Sequence, residues 1–237
     1  MSAWKAKRFW KEAKVIEAED GFAVTLDERH VKTPAKRALI LPTRAMAEVV
    51  AAEWDAQEGE INPHLMPATK TANAAIDKVA VQHAEVADML AAYGDSDLLC
   101  YRADSPDGLV ARQAEAWDPM LDWAADTLGA RLLPRTGVMH APQATASLTA
   151  LSDRTHGLSA FELAAFHDLV SLSGSLILGF ATAEQVKTAD DIWEISRVDE
   201  LWQIEQWGKD DEAEALTQVK KDSFLHANHM FTLCRRG

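Results

Sequence analysis

The chain has 237 residues, 48% of them apolar and 26% charged, with a formal net charge of −13. That length and apolar content suffice for one large domain or two unequal ones with real cores, and they exclude wholesale disorder. So acidic a chain repels phosphate backbones and anionic lipid surfaces, so nucleic acid is excluded as the default partner and no membrane insertion is expected.

The first forty residues read as strands and turns. Val15 and Ile16 lead into Glu19-Asp20-Gly21, a hairpin signal. Phe22, Val24 and Leu26 then alternate with Ala23 and Thr25, as a half-buried strand should. A second turn at Leu26 to Arg29, an extended Val31 to Thr33 stopped by Pro34, and a short strand Leu39 to Leu41 closed by Pro42 complete a small antiparallel meander. Thr43 reads as an N-cap for a helix carrying Met46, Ala47, Val50, Ala51 and Trp54, which Gly59 ends. Asn62-Pro63 and Met66-Pro67 break the chain again, and the expected domain boundary is there.

Beyond it the pattern is helical almost throughout. Helices are expected over 69–83, 85–93, 109–128 (with Pro119 bending it) and 143–154. Residues 97–101 fit a helical turn or a strand, and 130–142 reads as a loop. Ser159 caps a helix to about Ser173, and Gly174-Ser175 joins it to an apolar segment ending near Ala183. Thr188 caps a helix through Trp207, ended by Gly208, and a last helix begins at Lys209. The expected fold class is α+β: a small N-terminal antiparallel β-rich domain with one helix over residues 1–62, then a larger all-α domain over 63–237.

The charge is uneven in the same way. Residues 1–60 carry ten Lys or Arg against eleven Asp or Glu, and the remainder fourteen against twenty-six. The two cysteines, Cys100 and Cys234, match no zinc spacing and read as buried free thiols of a reducing compartment. The opening Met1-Ser2-Ala3-Trp4-Lys5 has no apolar leader and no long Arg- and Ser-rich one. The longest uncharged apolar stretch, Leu169 to Ala183, is mixed with Ser and Gly and falls short of the roughly 20 residues a membrane helix needs, so it reads as core.

The usual catalytic signatures are missing from the sequence: no Gly-rich loop ending in Gly-Lys-Ser/Thr, no Gly-x-Gly-x-x-Gly, no His-Glu-x-x-His and no Gly-x-Ser-x-Gly. His226 and His229 share a helix face without an evident third ligand, so no metal is expected there. His64, His140 and His156 fall in or near loops without evident partners. Asp210-Asp211-Glu212 reads as helix-dipole acids, not as a calcium loop.

The unusual element is the helix from Thr188 to Trp207. At about 100° per residue its apolar residues surround the axis, and a helix of that kind is expected to be central and packed on several sides. Yet between Glu184 and Glu214 stand eleven acids and three bases. Glu200 shares a stripe with Trp193, Ile204 and Trp207, and a carboxylate among indoles is costly to bury unless paired. Three readings stay open: a structural ion pair with Arg197 three residues back or an edge carboxylate reaching water, a carboxylate held for a partner's cation or backbone amide, or a catalytic acid. Eight tryptophans suit cores first and protein-binding hot spots second.

A resemblance runs through most of the chain. Its motifs are Arg8-Phe9-Trp10-Lys11, Leu26-Asp27, Thr33-Pro34, Leu41-Pro42-Thr43, Glu53-Trp54-Asp55-Ala56-Gln57 and Met66-Pro67-Ala68-Thr69. Asn73 with Ile76-Asp77, Asp97-Leu98-Leu99-Cys100-Tyr101, Gln113 with Trp117-Asp118-Pro119 and Ser173-Gly174-Ser175 follow, then Asp199-Glu200-Leu201-Trp202-Gln203 with Trp207-Gly208. In this order and spacing they resemble the ATP synthase F(1) sector assembly chaperones that bind the newly made alpha subunit. The resemblance covers about residues 8–212 and implies a β-rich domain before a helical one, no nucleotide use, no cofactor and no catalytic residue. In that family an acidic residue in the stretch matching Asp199-Glu200 is tied to function, which carries to Glu200.

The resemblance thus implies a monomeric chaperone that caps the unassembled alpha subunit against aggregation until the beta subunit replaces it. Its partner-binding residues are expected to be Glu200, Asp199, Trp202, Gln203, Trp207 and Trp193. Mitochondrial members carry a presequence and none is evident here, so a bacterial cytoplasmic member is expected, or a mitochondrial matrix one if a presequence was removed. Two readings compete with it: a hydrolase-type enzyme whose Asp95, Asp97, Asp199, Glu200 and His167 converge from separate helices, and a subunit of a stable complex.

Overall fold

A computed structural model describes residues 7–235 of the chain, so the leader reading of Met1 to Lys5 lies outside the described residues. Strand β1 (Ala13–Ala18) pairs antiparallel with β2 (Gly21–Leu26), Val15 opposite Val24. Gly21 closes the turn between them at φ 144°, a conformation L side chains rarely adopt. The other edge of β2 is shared by β3 (Arg29–His30), next to Thr25 and Leu26, and β4 (Ile40–Leu41), next to Phe22 and Ala23. The chain therefore does not continue the expected meander. A turn at Thr33 to Arg37, with Lys36 at φ 68°, reverses it and returns β4 to β2. Asp77 fixes that turn, accepting from the Thr33 hydroxyl at 2.7 Å and the Ala35 amide at 3.0 Å.

Because β2 is central, Ala23, Val24, Thr25 and Leu26 are all buried, where alternation alone suggests a strand with one wet face. Helix α1 (Arg44–Asp55) packs on β1 and β2 and buries Met46, Ala47, Val50 and Ala51. The Thr43 hydroxyl caps it, accepting from the Met46 amide at 3.2 Å, and also donates to the Leu233 carbonyl at 2.8 Å. Helix α2 (Pro67–Ala74) follows and runs into a π turn at Ala75–Val79. Glu53 holds its start: one carboxylate oxygen accepts from the Ala68 amide at 2.6 Å, the other from the Thr69 amide and hydroxyl, each at 2.7 Å. A carboxylate at a helix N-terminus satisfies donors that the helix cannot. Arg8 reaches the Gln57 carbonyl at 2.8 Å and the Asp55 carboxylate at 3.0 Å. The motifs around Arg8, Glu53 and Asp77 are thus fold-holding contacts.

The compact units do not follow chain order. The first takes residues up to His83, Ser159–Ala165 and those from His229 onward; the second takes Ala84–Leu158 and Phe166–Asn228. Arg235 meets Glu162 at 2.7 Å inside the first unit.

The second unit holds most of the helices. Helix α3 (His83–Ala91) passes into 3₁₀ turns, the last at Leu98–Cys100, and then into strand β5 (Tyr101–Arg102), so residues 97–101 are helical turn and strand in succession. Helix α4 (Asp107–Trp123) runs through Pro119 and loosens to a π turn at Ala124–Leu128. Strand β6 (Arg135–Thr136), in the expected loop, pairs parallel with β5. Then come α5 (Thr145–His156), α6 (Ala160–Ser173), α7 (Leu176–Ala183), α8 (Ala189–Ser196), α9 (Val198–Trp207) and α10 (Asp211–Arg235). Ser159 and Glu162 form a reciprocal cap at the start of α6. All eight residues of α7 are buried, with α4 and α8 packed on it, so the apolar stretch is core as expected. Among the described residues no helix is long and apolar enough to cross a membrane.

One expected helix is two. The Ser196 hydroxyl donates to the Trp193 carbonyl at 2.6 Å, and the Arg197 amide turns instead to the Glu194 carbonyl at 3.0 Å. With Arg197 at φ −110° the helix stops and restarts. Helix α8 is anchored by buried Ile192, Trp193 and Ser196; α9 buries only Val198. The C-terminal half is therefore a surface helix, not a central one.

Candidate functional site

Freed of the core, α9 presents two faces. Asp199, Trp202, Gln203 and Gln206, at helical spacing, line an open groove of about 680 Å³. Its other wall is the segment from Tyr101 through Pro106 with Leu109 and Gln113 of α4, and Gly137 and Val138 beyond β6. Glu200, Leu201, Ile204 and Trp207 are exposed, with Leu201 at 40%, Ile204 at 38% and Trp207 at 79% of full accessibility. Trp207 also borders the groove.

Three contacts seat α9 on α4. Gln113 donates to Asp199 Oδ1 at 2.6 Å while its carbonyl oxygen accepts from the Ala103 amide at 2.9 Å, so one amide ties both groove walls together. Arg112 grips Glu205 with two bonds of 2.8 and 2.9 Å and lies over the Trp202 ring at 5.1 Å. The hydrogen bond from Arg112 holds the Glu205 carboxyl below its ordinary value. The indole of Trp202 lies so close over Gly108 that a Cβ there would stand 2.8 Å from its Cη2. Underneath, Trp117 is fully buried and its Nε1 donates to the Ile195 carbonyl at 2.8 Å, a carbonyl left over where α8 ends.

Of the six candidate residues, Asp199, Trp202, Gln203 and Trp207 meet at the groove. Glu200 lies on the open face, 3.0 Å from Arg197 Nη1, and its side chain is 52% exposed. An ion pair that wet contributes roughly 0–1 kcal/mol. Trp193 is buried, against Phe224 at 5.6 Å and under the Arg197 guanidinium at 5.0 Å, so it supports α9 from the core. Sequence reasoning missed Arg112, Gly108 and Val138; only Gln113 stood in a motif.

The acids and histidine of the enzyme reading are not gathered. Asp95 accepts from the Gln143 amide at 2.7 Å and meets His140 at 3.0 Å. His167 pairs with Asp168 at 2.9 Å, and that bond raises its pKa. Asp97 is fully buried, accepting from the Leu99 and Ile177 amides, each at 3.1 Å, so it joins its own turn to the start of α7. Among the described residues there is no cluster of three or more His, Cys, Asp or Glu fit to hold a metal. Both thiols are pushed up to about 12 by burial, Cys100 buried and Cys234 half-buried, which makes them poor nucleophiles.

Asp97 carries a pH signature. Burial pushes its carboxyl up from 3.8 to about 6, against the hydrogen bonds that lower it. The folded state thus holds this proton more tightly than the unfolded chain. The group's stabilising contribution is full below the unfolded value and is lost as pH rises through about 6. Relative to Asp97→Asn, the natural protein is expected to gain about 2–3 kcal/mol between pH 7 and pH 4. Urea titrations of both proteins across that range check it; a difference independent of pH refutes it.

Against this geometry stand the comparisons with known proteins. The family model described as ATP12 chaperone protein matches residues 7–125. The chain belongs to the ATP12 chaperone family. This is the ATP synthase assembly family that the sequence motifs resemble. The crystal structure of Atp12 from Paracoccus denitrificans is 46% identical, with a TM-score of 0.95 over 98% of this chain and 100% of that one. A candidate chaperone of Agrobacterium tumefaciens, also a crystal structure, is 40% identical, with a TM-score of 0.90 over 96% of this chain and 85% of that one. The mitochondrial protein atp12 of Schizosaccharomyces pombe is 22% identical over 96% of this chain and 82% of its own length. Likeness at this level confirms the α+β fold, a small sheet before a larger helical region. The family match ends before α9, but the structural match spans both walls of the groove.

Proposed function

We propose that this chaperone binds the unassembled F(1) alpha subunit through α9 and keeps it from aggregating until the beta subunit replaces it. It works in the bacterial cytoplasm, or in the mitochondrial matrix where a presequence has been removed, as a monomer and without catalysis. The observation that carries the reading is the exposed face of α9, where Leu201, Ile204 and Trp207 stand in solvent beside the Glu200 carboxylate. An orphaned subunit exposes apolar surface that its neighbours later cover, and such surface drives aggregation. Aromatic and aliphatic anchors with a polar rim cap it reversibly. Glu200 offers its carboxylate to a basic group of the partner, with Asp199, Trp202, Gln203 and Trp207 around it and Trp193 bracing the helix from below.

Pull-down of isolated alpha and beta subunits, scored with light scattering of the alpha subunit, tests this. The chain is expected to retain alpha but not beta and to suppress scattering. Glu200→Gln is expected to weaken retention roughly tenfold through loss of a charge contact at an interface. The Glu200 side of the pair is half exposed and Arg197 keeps its bonds to the Ser196 and Leu172 carbonyls, so the variant's melting temperature should stay within about 2–4 °C of the natural protein's, what a loss of about 0–1 kcal/mol allows in a chain of this size. Equal retention of alpha by the variant removes Glu200 from the interface; no retention by the natural protein ends the proposal.

A further inference from the structure

The groove beside α9 has a chemistry of its own. Its apolar members, Leu109, Val138, Trp202 and Trp207, share the lining with the carboxylates of Asp104 and Asp199 and with Arg102. The cations at its border are engaged elsewhere. Arg102 reaches Asp118 at 2.7 Å and the Leu99 carbonyl at 2.7 Å, over the Trp117 ring. Arg112 holds Glu205. Asp199 takes its bond from the neutral Gln113, and Asp104 takes its bond from the Ser105 hydroxyl, so among the described residues neither carboxylate is paired with a cation.

We infer that this groove holds an extended segment of the captured polypeptide in which a lysine or arginine stands between apolar side chains. The identity of that polypeptide rests on the alpha-subunit reading; the chemistry of the segment does not. A small metabolite is an unsuitable occupant, since small-ligand sites enclose most of their ligand and this groove lies open. A folded surface meets the open face of α9 but is too broad to enter a furrow walled by α9 on one side and a loop on the other. An extended chain fits. Its alternate side chains point to opposite sides, so an apolar residue rests on Trp202 or Trp207 of one wall while the next brings its cation to Asp104 of the other. The exposed amides of Gln203 and Gln206 can both donate to and accept from its backbone. The net charge of −13 favours the encounter with a basic segment.

The probe is a dye-labelled octapeptide alternating leucine and arginine, titrated into the full-length protein and followed by fluorescence anisotropy. A second peptide has glutamate in place of arginine. Saturable binding of the arginine peptide is expected, with no binding of the glutamate one. Asp104→Asn, Val138→Ser and Trp207→Ser should each weaken it by about fivefold or more, the scale of an interface anchor. Val219→Ser, an exposed residue of α10 outside the groove, should leave it unchanged. Equal affinity for both peptides, or no effect from the three groove variants, overturns the inference. Competition against captured alpha subunit separates the two proposals. Alpha retained and not displaced by a saturating peptide refutes the groove assignment and leaves the chaperone reading. Peptide bound in the groove with alpha not retained refutes the partner and leaves the groove assignment.

Discussion

Trp117→Ala is expected to destabilise the protein by about 4 kcal/mol, within the 3–5 kcal/mol typical of a buried indole. Two losses combine. The ring is fully buried, and its removal leaves a cavity beneath the Arg102 guanidinium, which lies over it at 5.3 Å. The Ile195 carbonyl also loses the indole donor just where α8 ends, and a part-buried acceptor left unpaired costs about 1–2 kcal/mol. Trp117→Phe separates the two, since it keeps most of the ring and removes only the donor, for a loss of about 1–2 kcal/mol. Urea unfolding followed by circular dichroism measures both. If alanine costs less than phenylalanine is expected to, Trp117 is not what sets the angle between α8 and α9. The alanine protein should also lose partner capture, because Asp199, Trp202 and Trp207 all ride on that angle.

Gly21→Val is expected to cost about 4 kcal/mol, at the upper end of single-site effects. At φ 144° a β-branched residue is strained by about 1–3 kcal/mol. A Cβ there would also stand 2.3 Å from the Leu41 carbonyl oxygen, so β4 must leave β2 or the hairpin must open. Hydrogen exchange gives the specific readout: the β2 and β4 amides should lose protection before those of α7, which belongs to the other unit. Uniform loss across both units, or none, would contradict this account.

These two positions differ in how visible they are in the sequence. Gly21 stands in a Glu-Asp-Gly turn between alternating apolar residues, and the hairpin was legible from that local chemistry alone. So were the Thr43, Ser159 and Thr188 caps, which depend on residues three apart. The pairing of Glu200 with Arg197 was legible for the same reason, since one turn of helix brings them together. Alternation could not show that β2 is covered on both faces, nor that β4 returns to it. Those depend on the Thr33 to Arg37 turn, which Asp77 fixes from more than forty residues away.

Local patterning was enough to read the class of fold, the chain positions of most helices and, through ordered motifs, the family. Four of the residues it put forward, Asp199, Trp202, Gln203 and Trp207, line one groove in the structure. That the stretch from Thr188 to Trp207 is two helices, with Trp193 inside and Trp207 outside, depends on contacts made in the folded chain. The helix break carries neither Pro nor Gly. It comes from a serine hydroxyl taking a backbone carbonyl and from the Trp117 indole, some eighty residues earlier, satisfying another. Apolar residues all round a helix are equally compatible with a central helix and with one whose spare face awaits a partner. Periodicity measures only how much apolar surface there is; which neighbours cover it is set by contacts between distant residues.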